Sequence, residues 1–215
     1  MNIILKNAAA VLILCLLTSG CASAPDGPIH IAPALEGPEG YAAQSDTGVF
    51  ESKLMRLAVT PLGSESFAGD VAGEADAIGD LAKKHYIVVR LEIENKSVRS
   101  KLIFNPAYVA LLTSANDYYK PLDYTDIYEI VNREDERPSA VMGLRGRFYD
   151  LTVTLAPGKK TSRLMLFEPI KEGSSAELMI NNVYIGREDI SVRLPFVCIA
   201  EAAPPEEKKP DPPKP

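Results

Sequence analysis

The amino-acid sequence predicts an all-β protein, a sandwich of about seven or eight short strands with one or two short helical insertions. Three observations carry that expectation. Residues 85–95 alternate apolar and polar side chains with period two, the signature of a half-buried strand. Short apolar runs of the same kind recur along the chain, separated by turn residues. No helical pattern alternates regularly with them, which argues against a parallel α/β sheet.

In chain order, residues 1–20 read as an export leader. Lys6 supplies the positive start, Ala8 to Leu17 an apolar stretch, and small residues precede Cys21, in the order a secretory signal requires. An apolar stretch of about ten residues is too short to span a bilayer, which needs roughly 20 in a helix. Residues 21–52 hold Pro25, Pro28, Pro33 and Pro38 among small and acidic residues; with no sustained apolar period they are expected to form a flexible tether. Residues 53–200 are the expected sandwich domain. Residues 201–215 are proline-dense and charged, and are expected to stay a solvated, extended tail.

Within the domain, Leu54 to Thr60 is the first expected strand. The clearest follows in His85 to Asn95, where Ile87, Val89, Leu91 and Ile93 share one face while Tyr86, Val88, Arg90, Glu92 and Glu94 share the other. Asn95-Lys96-Ser97 reads as its closing turn. Leu102 to Phe104, Tyr108 to Thr113, Phe148 to Leu155, Arg163 to Phe167, Glu177 to Ile180 and Ile190 to Phe196 complete the set. Between two of these, Ala156-Pro157-Gly158-Lys159-Lys160 predicts a hairpin turn. Glu74 to Lys84 and Asp123 to Arg133 carry apolar residues at helical spacing, with Asp123 placed to cap the second. As insertions they would cover a sheet edge or one end of the sandwich.

Functional signals are sparse. Removing the leader takes one basic residue, Lys6, from a chain with 23 basic and 29 acidic side chains. An acidic balance of this kind, with only Arg145-Gly146-Arg147 and Lys159-Lys160 as basic pairs, disfavours nucleic acid, whose affinity term needs clustered cations. Of three cysteines, Cys15 leaves with the leader and Cys198 sits in an apolar run, where a thiol behaves as a small hydrophobe. The two histidines, His30 and His85, fall in the tether and at a strand end. No catalytic residue, metal set or cofactor fingerprint stands out. Acidic groups at Glu134-Asp135-Glu136 and Glu188-Asp189 read as charged loops. The one concentration of recognition-prone side chains is Tyr118, Tyr119, Tyr124 and Tyr128, a candidate partner surface followed by the charged segment Arg133 to Arg137; core packing explains the same residues.

Two resemblances add to this reading. Leu16-Leu17-Thr18-Ser19-Gly20-Cys21 resembles the lipobox of bacterial lipoproteins, with Thr18 where a leucine is usual. Ala22-Ser23-Ala24 is a competing cleavage site, disfavoured by Pro25. The resemblance implies that Cys21 is the lipid attachment site, carrying diacylglycerol and an acylated amine of palmitate type. Ala22, in place of the aspartate that marks inner-membrane retention, implies an outer membrane address facing the periplasm.

The second rests on Tyr86 to Ser97, Tyr108 to Leu112, Tyr118 to Pro121, Leu155 to Lys159 and Leu164 to Phe167. These are similar to the immunoglobulin-like extracellular domains of bacterial lipoproteins, in which a strand ends in Glu-Asn-x-Ser and a Pro-Gly turn precedes the closing strands. An immunoglobulin-like β-sandwich is what that likeness implies. The expected function is a membrane-anchored, non-enzymatic binding or accessory subunit for another envelope protein, held to the lipid bilayer through Cys21, without cofactor. An enzyme or protease inhibitor acting on exported polymers or proteases is the alternative.

Overall fold

A computed structural model of the chain describes residues 28–67, 74–134 and 146–200. The expected leader, Cys21, the tail 201–215, residues 135–137 of the charged segment and Arg145 lie outside the described residues. The described chain is an all-β sandwich of two antiparallel sheets. In chain order it runs β1 (Ile29–Pro33), β2 (Tyr41–Gln44), β3 (Thr47–Glu51), β4 (Met55–Leu62), α1 (Glu74–Lys83), β5 (Ile87–Asn95), β6 (Leu102–Phe104) and β7 (Val109–Thr113). There follow β8 (Tyr118–Tyr119), α2 (Tyr124–Glu134), β9 (Val153–Leu155), β10 (Lys160–Phe167), β11 (Ser175–Ile185) and β12 (Glu188–Ala200).

The smaller sheet has the order β10-β5-β4-β3-β2, and the larger follows the path β1-β12-β11-β6-β9, with β7 paired to β11 and β8 to β7. The two inner faces meet in one core. Met55, Leu57, Val59, Val89, Leu91 and Ile93 from the smaller sheet pack with Phe104, Leu111, Leu178, Ile180, Leu194 and Phe196 from the larger. Period two is the reason, since alternate side chains of a strand leave opposite faces.

Strand β5 follows the predicted pattern. Ile87, Val89, Leu91 and Ile93 all enter the main core. Val88, on the opposite face, is buried too, because α1 and α2 cover that face with Ile78, Leu81, Ile127 and Val131, forming a second core with Val88, Phe148, Leu164 and Leu166. The helices therefore cover a sheet face, not an edge or an end. Their apolar residues recur at three- and four-residue spacing, so each presents one stripe to the strands beneath.

Further sequence expectations need correction. Residues 29–51, placed in the tether, supply three strands. Ile29 and Ile31 alternate with His30, and the segment pairs with β12 from Ile29↔Ala200 to Pro33↔Phe196; β2 and β3 add to the edge of β4. Proline is tolerated in β1 because this strand is a sheet edge, where a missing amide need not meet a partner. The count of strands rises accordingly. Strands β11 and β12 also run longer than expected. The expected strand ends at Ile180, yet the ladder continues past Asn181 and Asn182 with only a register shift between Ile180 and Val183 and Asn182 at φ 55°, as a bulge allows.

Another correction concerns Ala156 to Lys160, where Gly158 adopts φ 68°. The turn is real, but it is no hairpin: β9 pairs with β6 in the larger sheet and β10 with β5 in the smaller. The chain changes sheets there. It changes sheets again between β5 and β6, and the two crossings meet at Asn95. The fully buried Asn95 amide donates to the carbonyls of Ser100 at 2.8 Å and Leu155 at 3.0 Å, and its side-chain oxygen accepts from the Ser97 amide at 3.0 Å. Its backbone bonds Lys159 and Gly158 as well.

The predicted strand Phe148 to Leu155 is shorter, Val153–Leu155. Phe148 instead bridges Leu164 in parallel, and the segment lies along the open side of β10. Tyr149 points from it into the main core, donating its hydroxyl to the Leu91 carbonyl at 3.0 Å and meeting Phe104 edge-on at 5.2 Å. Burial raises the Tyr149 hydroxyl well above the ordinary tyrosine value. The unfolded chain therefore gives up this proton above about pH 10 while the folded one keeps it, so stability should fall as pH rises beyond that point. Denaturant melts on the alkaline side should show this decline, and Tyr149→Phe should make it shallower, at a loss of about 1 kcal/mol near neutrality. An unchanged alkaline slope in the variant would contradict the assignment.

Candidate functional site

The predicted tyrosine cluster is divided by the fold. Strand β8 pairs with β7 through Leu111↔Tyr119 and Leu112↔Tyr118, so the two adjacent tyrosines leave opposite faces. Tyr119 enters the main core. Its hydroxyl accepts from the Lys171 amide at 3.3 Å and donates to Asp117 at 3.5 Å, and burial pushes its pKa above the ordinary tyrosine value. Tyr118 stands on the outer face, 56% exposed.

After Pro121 the chain is tied to β10 by the Leu122 amide, which donates to the Leu166 carbonyl at 2.8 Å. It then enters α2 through a reciprocal cap. Asp123 accepts from the amides of Thr125 at 2.7 Å and Asp126 at 2.9 Å, while Asp126 accepts from the Asp123 amide at 3.0 Å. Such a cap satisfies amide donors that the first helical turn cannot pair internally. Tyr124 is half-buried against the second core, and Tyr128, one turn further on, is exposed.

Between β8, the start of α2 and the segment after β10 lies a cleft of about 560 Å³, lined among others by Tyr118, Lys120, Asp123, Asp126, Glu168 and Lys171. Tyr118 and Tyr119 line it, whereas Tyr124 and Tyr128 do not. The lining mixes carboxylates and ammonium groups around an exposed aromatic ring and contains no histidine, cysteine or serine. Two of its carboxylates, Asp123 and Asp126, are engaged in the helix cap. Such a surface offers apolar area and charge pairing to a polar chain segment. Among the described residues, no group of three or more His, Cys, Asp or Glu side chains is arranged to hold a metal ion. Glu188 and Asp189 open β12 and are exposed.

A second groove, of about 480 Å³, brings both histidines together with Pro28, Glu65, Lys83 and Tyr86. The sequence places His30 in an expected tether and His85 at a strand end, and it is the pairing of residues 29–33 as β1 that brings the two to one groove. The Ile29-x-Ile31 alternation was the signal that could have placed His30 on a strand. His85 closes α1 in the left-handed region at φ 67°. Its amide donates to Ala82, and the Tyr86 amide donates back to Leu81 at 3.1 Å, a helix stop in which a glycine is more usual. Cys198 is half-buried on β12 opposite Ile31, and burial pushes its thiol up.

Exposed apolar side chains also gather on the larger sheet. Ile103 and Tyr184 are direct cross-strand partners, and both are exposed, as is Tyr108 in the turn leading into β7. No described helix is long and apolar enough to cross a membrane.

No family model matches the chain, and no curated protein matches it. A solved structure, the yjhA protein from Bacillus subtilis, is similar to it at a TM-score of 0.39 and 12% sequence identity, covering 67% of this chain and 93% of that chain.

Proposed function

We propose that this protein is an envelope lipoprotein, anchored through acylated Cys21, whose sandwich serves as a non-enzymatic binding or accessory subunit for another envelope protein. The lipobox-like run before Cys21 and the short apolar leader support the address, on the outer membrane facing the periplasm. The observation that carries the binding role is Tyr118, exposed over a mixed-charge cleft whose lining has no histidine, cysteine or serine. A rigid aromatic with a polar tip, set beside separated charges, is the composition of a protein contact. The likeness to immunoglobulin-like lipoprotein domains points the same way.

Two measurements test this reading. Cells grown with a fatty acid analogue should label the wild-type chain and leave Cys21→Ser unlabelled and lost from the membrane fraction; equal labelling of both would end the lipoprotein assignment. Crosslinking with mass spectrometry in native envelopes should recover a partner that Tyr118→Ala loses, and Tyr128→Ala should weaken recovery if the contact extends along α2. Both changes should leave stability within about 0.5 kcal/mol, as surface substitutions do. Tyr119→Ala is the contrast. It should destabilise the fold by about 3 to 5 kcal/mol, the range for buried aromatic truncations. Full partner recovery by Tyr118→Ala would remove the cleft from the interface.

A further inference from the structure

Both ends of the described chain leave the sandwich at one place. Ile29, the first residue of β1, lies opposite Ala200, the last of β12. Cys21 therefore attaches close to this end: the seven peptide steps from Cys21 to Pro28 reach at most about 25 Å even fully extended. The long tether expected from composition does not exist as a spacer, because residues 29–51 are folded into the sheets.

At this same end the outer face of the larger sheet carries two exposed branched apolar side chains. Val197 and Ile199 are 40% and 41% exposed, and they lie directly opposite Ala32 and His30 on the edge strand β1. The neighbouring groove, lined by Pro28, His30, Lys83 and His85, adds basic groups to the same end. Charge is the lesser part of the argument, since Lys83 already pairs with Asp80 at 2.9 Å. Two exposed branched apolar residues beside the point where a lipid anchor attaches are the larger part.

We propose that the corner formed by Val197, Ile199 and the start of β1 rests on the bilayer to which Cys21 is joined, so that the domain lies against the membrane with the β1/β12 end down. This rests on the lipoprotein reading above. Each apolar group carried into the interface adds to anchoring that acyl chains already supply, and the short link makes the contact intramolecular. The exposed pair Ile103 and Tyr184 sits far from it, about 30 Å along β11 from the level of Val197, and would face away from the lipid.

The protein has no tryptophan, so a single introduced indole reports its own surroundings. Ile199→Trp and Ile103→Trp, each in a full-length chain carrying Cys198→Ser, would be compared on vesicles of phosphatidylethanolamine and phosphatidylglycerol with brominated acyl chains. One preparation is the protein acylated by the cell; the other is the mature chain from Cys21, coupled through that thiol to a maleimide lipid. Indole at position 199 should shift to the blue and lose emission to bromine in both preparations, and indole at position 103 should do neither. Thermal melts of both variants should match the parent. Unquenched emission at 199 in the coupled preparation, or equal quenching at both positions, overturns the proposal. Shielding of position 199 by a crosslinked protein in native envelopes overturns it as well. Absence of an acyl group on the cell-made protein, read by mass spectrometry, would instead remove the lipoprotein reading.

Discussion

A chain cut to residues 52–200 should fail to fold, whereas residues 28–200 should melt as one cooperative, β-rich unit. The shorter piece lacks β1, β2 and β3, and with them the buried side chains of Ile29, Ile31 and Val49. Removing a buried large aliphatic costs about 2 to 5 kcal/mol, so three of them approach the whole stability of an ordinary domain, about 5 to 15 kcal/mol. Further losses follow. The Tyr41 hydroxyl, which donates to the Ala34 carbonyl at 2.6 Å, disappears, as does the Thr47 contact with Thr60 at 2.8 Å. Strand β4 becomes a bare edge, and β12 loses the strand that covers it, which invites association through unpaired backbone. Circular dichroism and urea melts of the two chains would decide the matter. A sharp transition in residues 52–200 would show that the three N-terminal strands are dispensable.

Asn95→Ala should be among the most damaging single substitutions, at about 3 kcal/mol or more. The side chain makes three hydrogen bonds with no exposure to water. Truncation leaves the Ser100 and Leu155 carbonyls and the Ser97 amide without it, and a buried polar group deprived of its partner loses about 1 to 3 kcal/mol. The position also matters. Asn95 joins two of the places where the chain passes from one sheet to the other, β5 to β6 and β9 to β10, so its loss loosens both crossings at once. Ser97→Ala is the milder control: the buried Ser97 hydroxyl accepts from the amides of Arg99 and Ser100, which lie in the more exposed turn that follows, and its removal should cost about 1 kcal/mol. A shift of under about 1 kcal/mol for Asn95→Ala in urea melts would show that water replaces the amide.

The sequence was informative wherever structure depends on neighbours along the chain. Period two in β5, helical spacing in α1 and α2, the Asp123 cap and the Pro157-Gly158 turn are all local patterns, and all four appear in the fold. It was silent where the decisive partner is distant. Residues 29–33 look like linker because their pairing surface is β12, at the other end of the domain. The turn at Gly158 resembles a hairpin because nothing nearby says that β9 and β10 belong to different sheets. The tyrosine cluster was legible as a concentration of aromatics, but Tyr118 and Tyr119 differ only in which face of β8 they occupy, and that is set by the pairing with β7. His30 and His85 meet for the same reason, through strand pairing that local composition does not announce.

The pairing of β1 with β12 has a consequence for how the protein is made. Strand β1 emerges from the ribosome ahead of every other described strand, and its partner emerges last. Until then β1 has no strand to pair with, and the sandwich cannot be completed. Closure joins distant parts of the chain and is therefore a slow kind of step. During that interval the ribosome holds a chain whose first strand is waiting. Chaperones that shield β edges would act in that window, and any stall in synthesis before residue 188 would leave the molecule open at the seam where its own ends should meet.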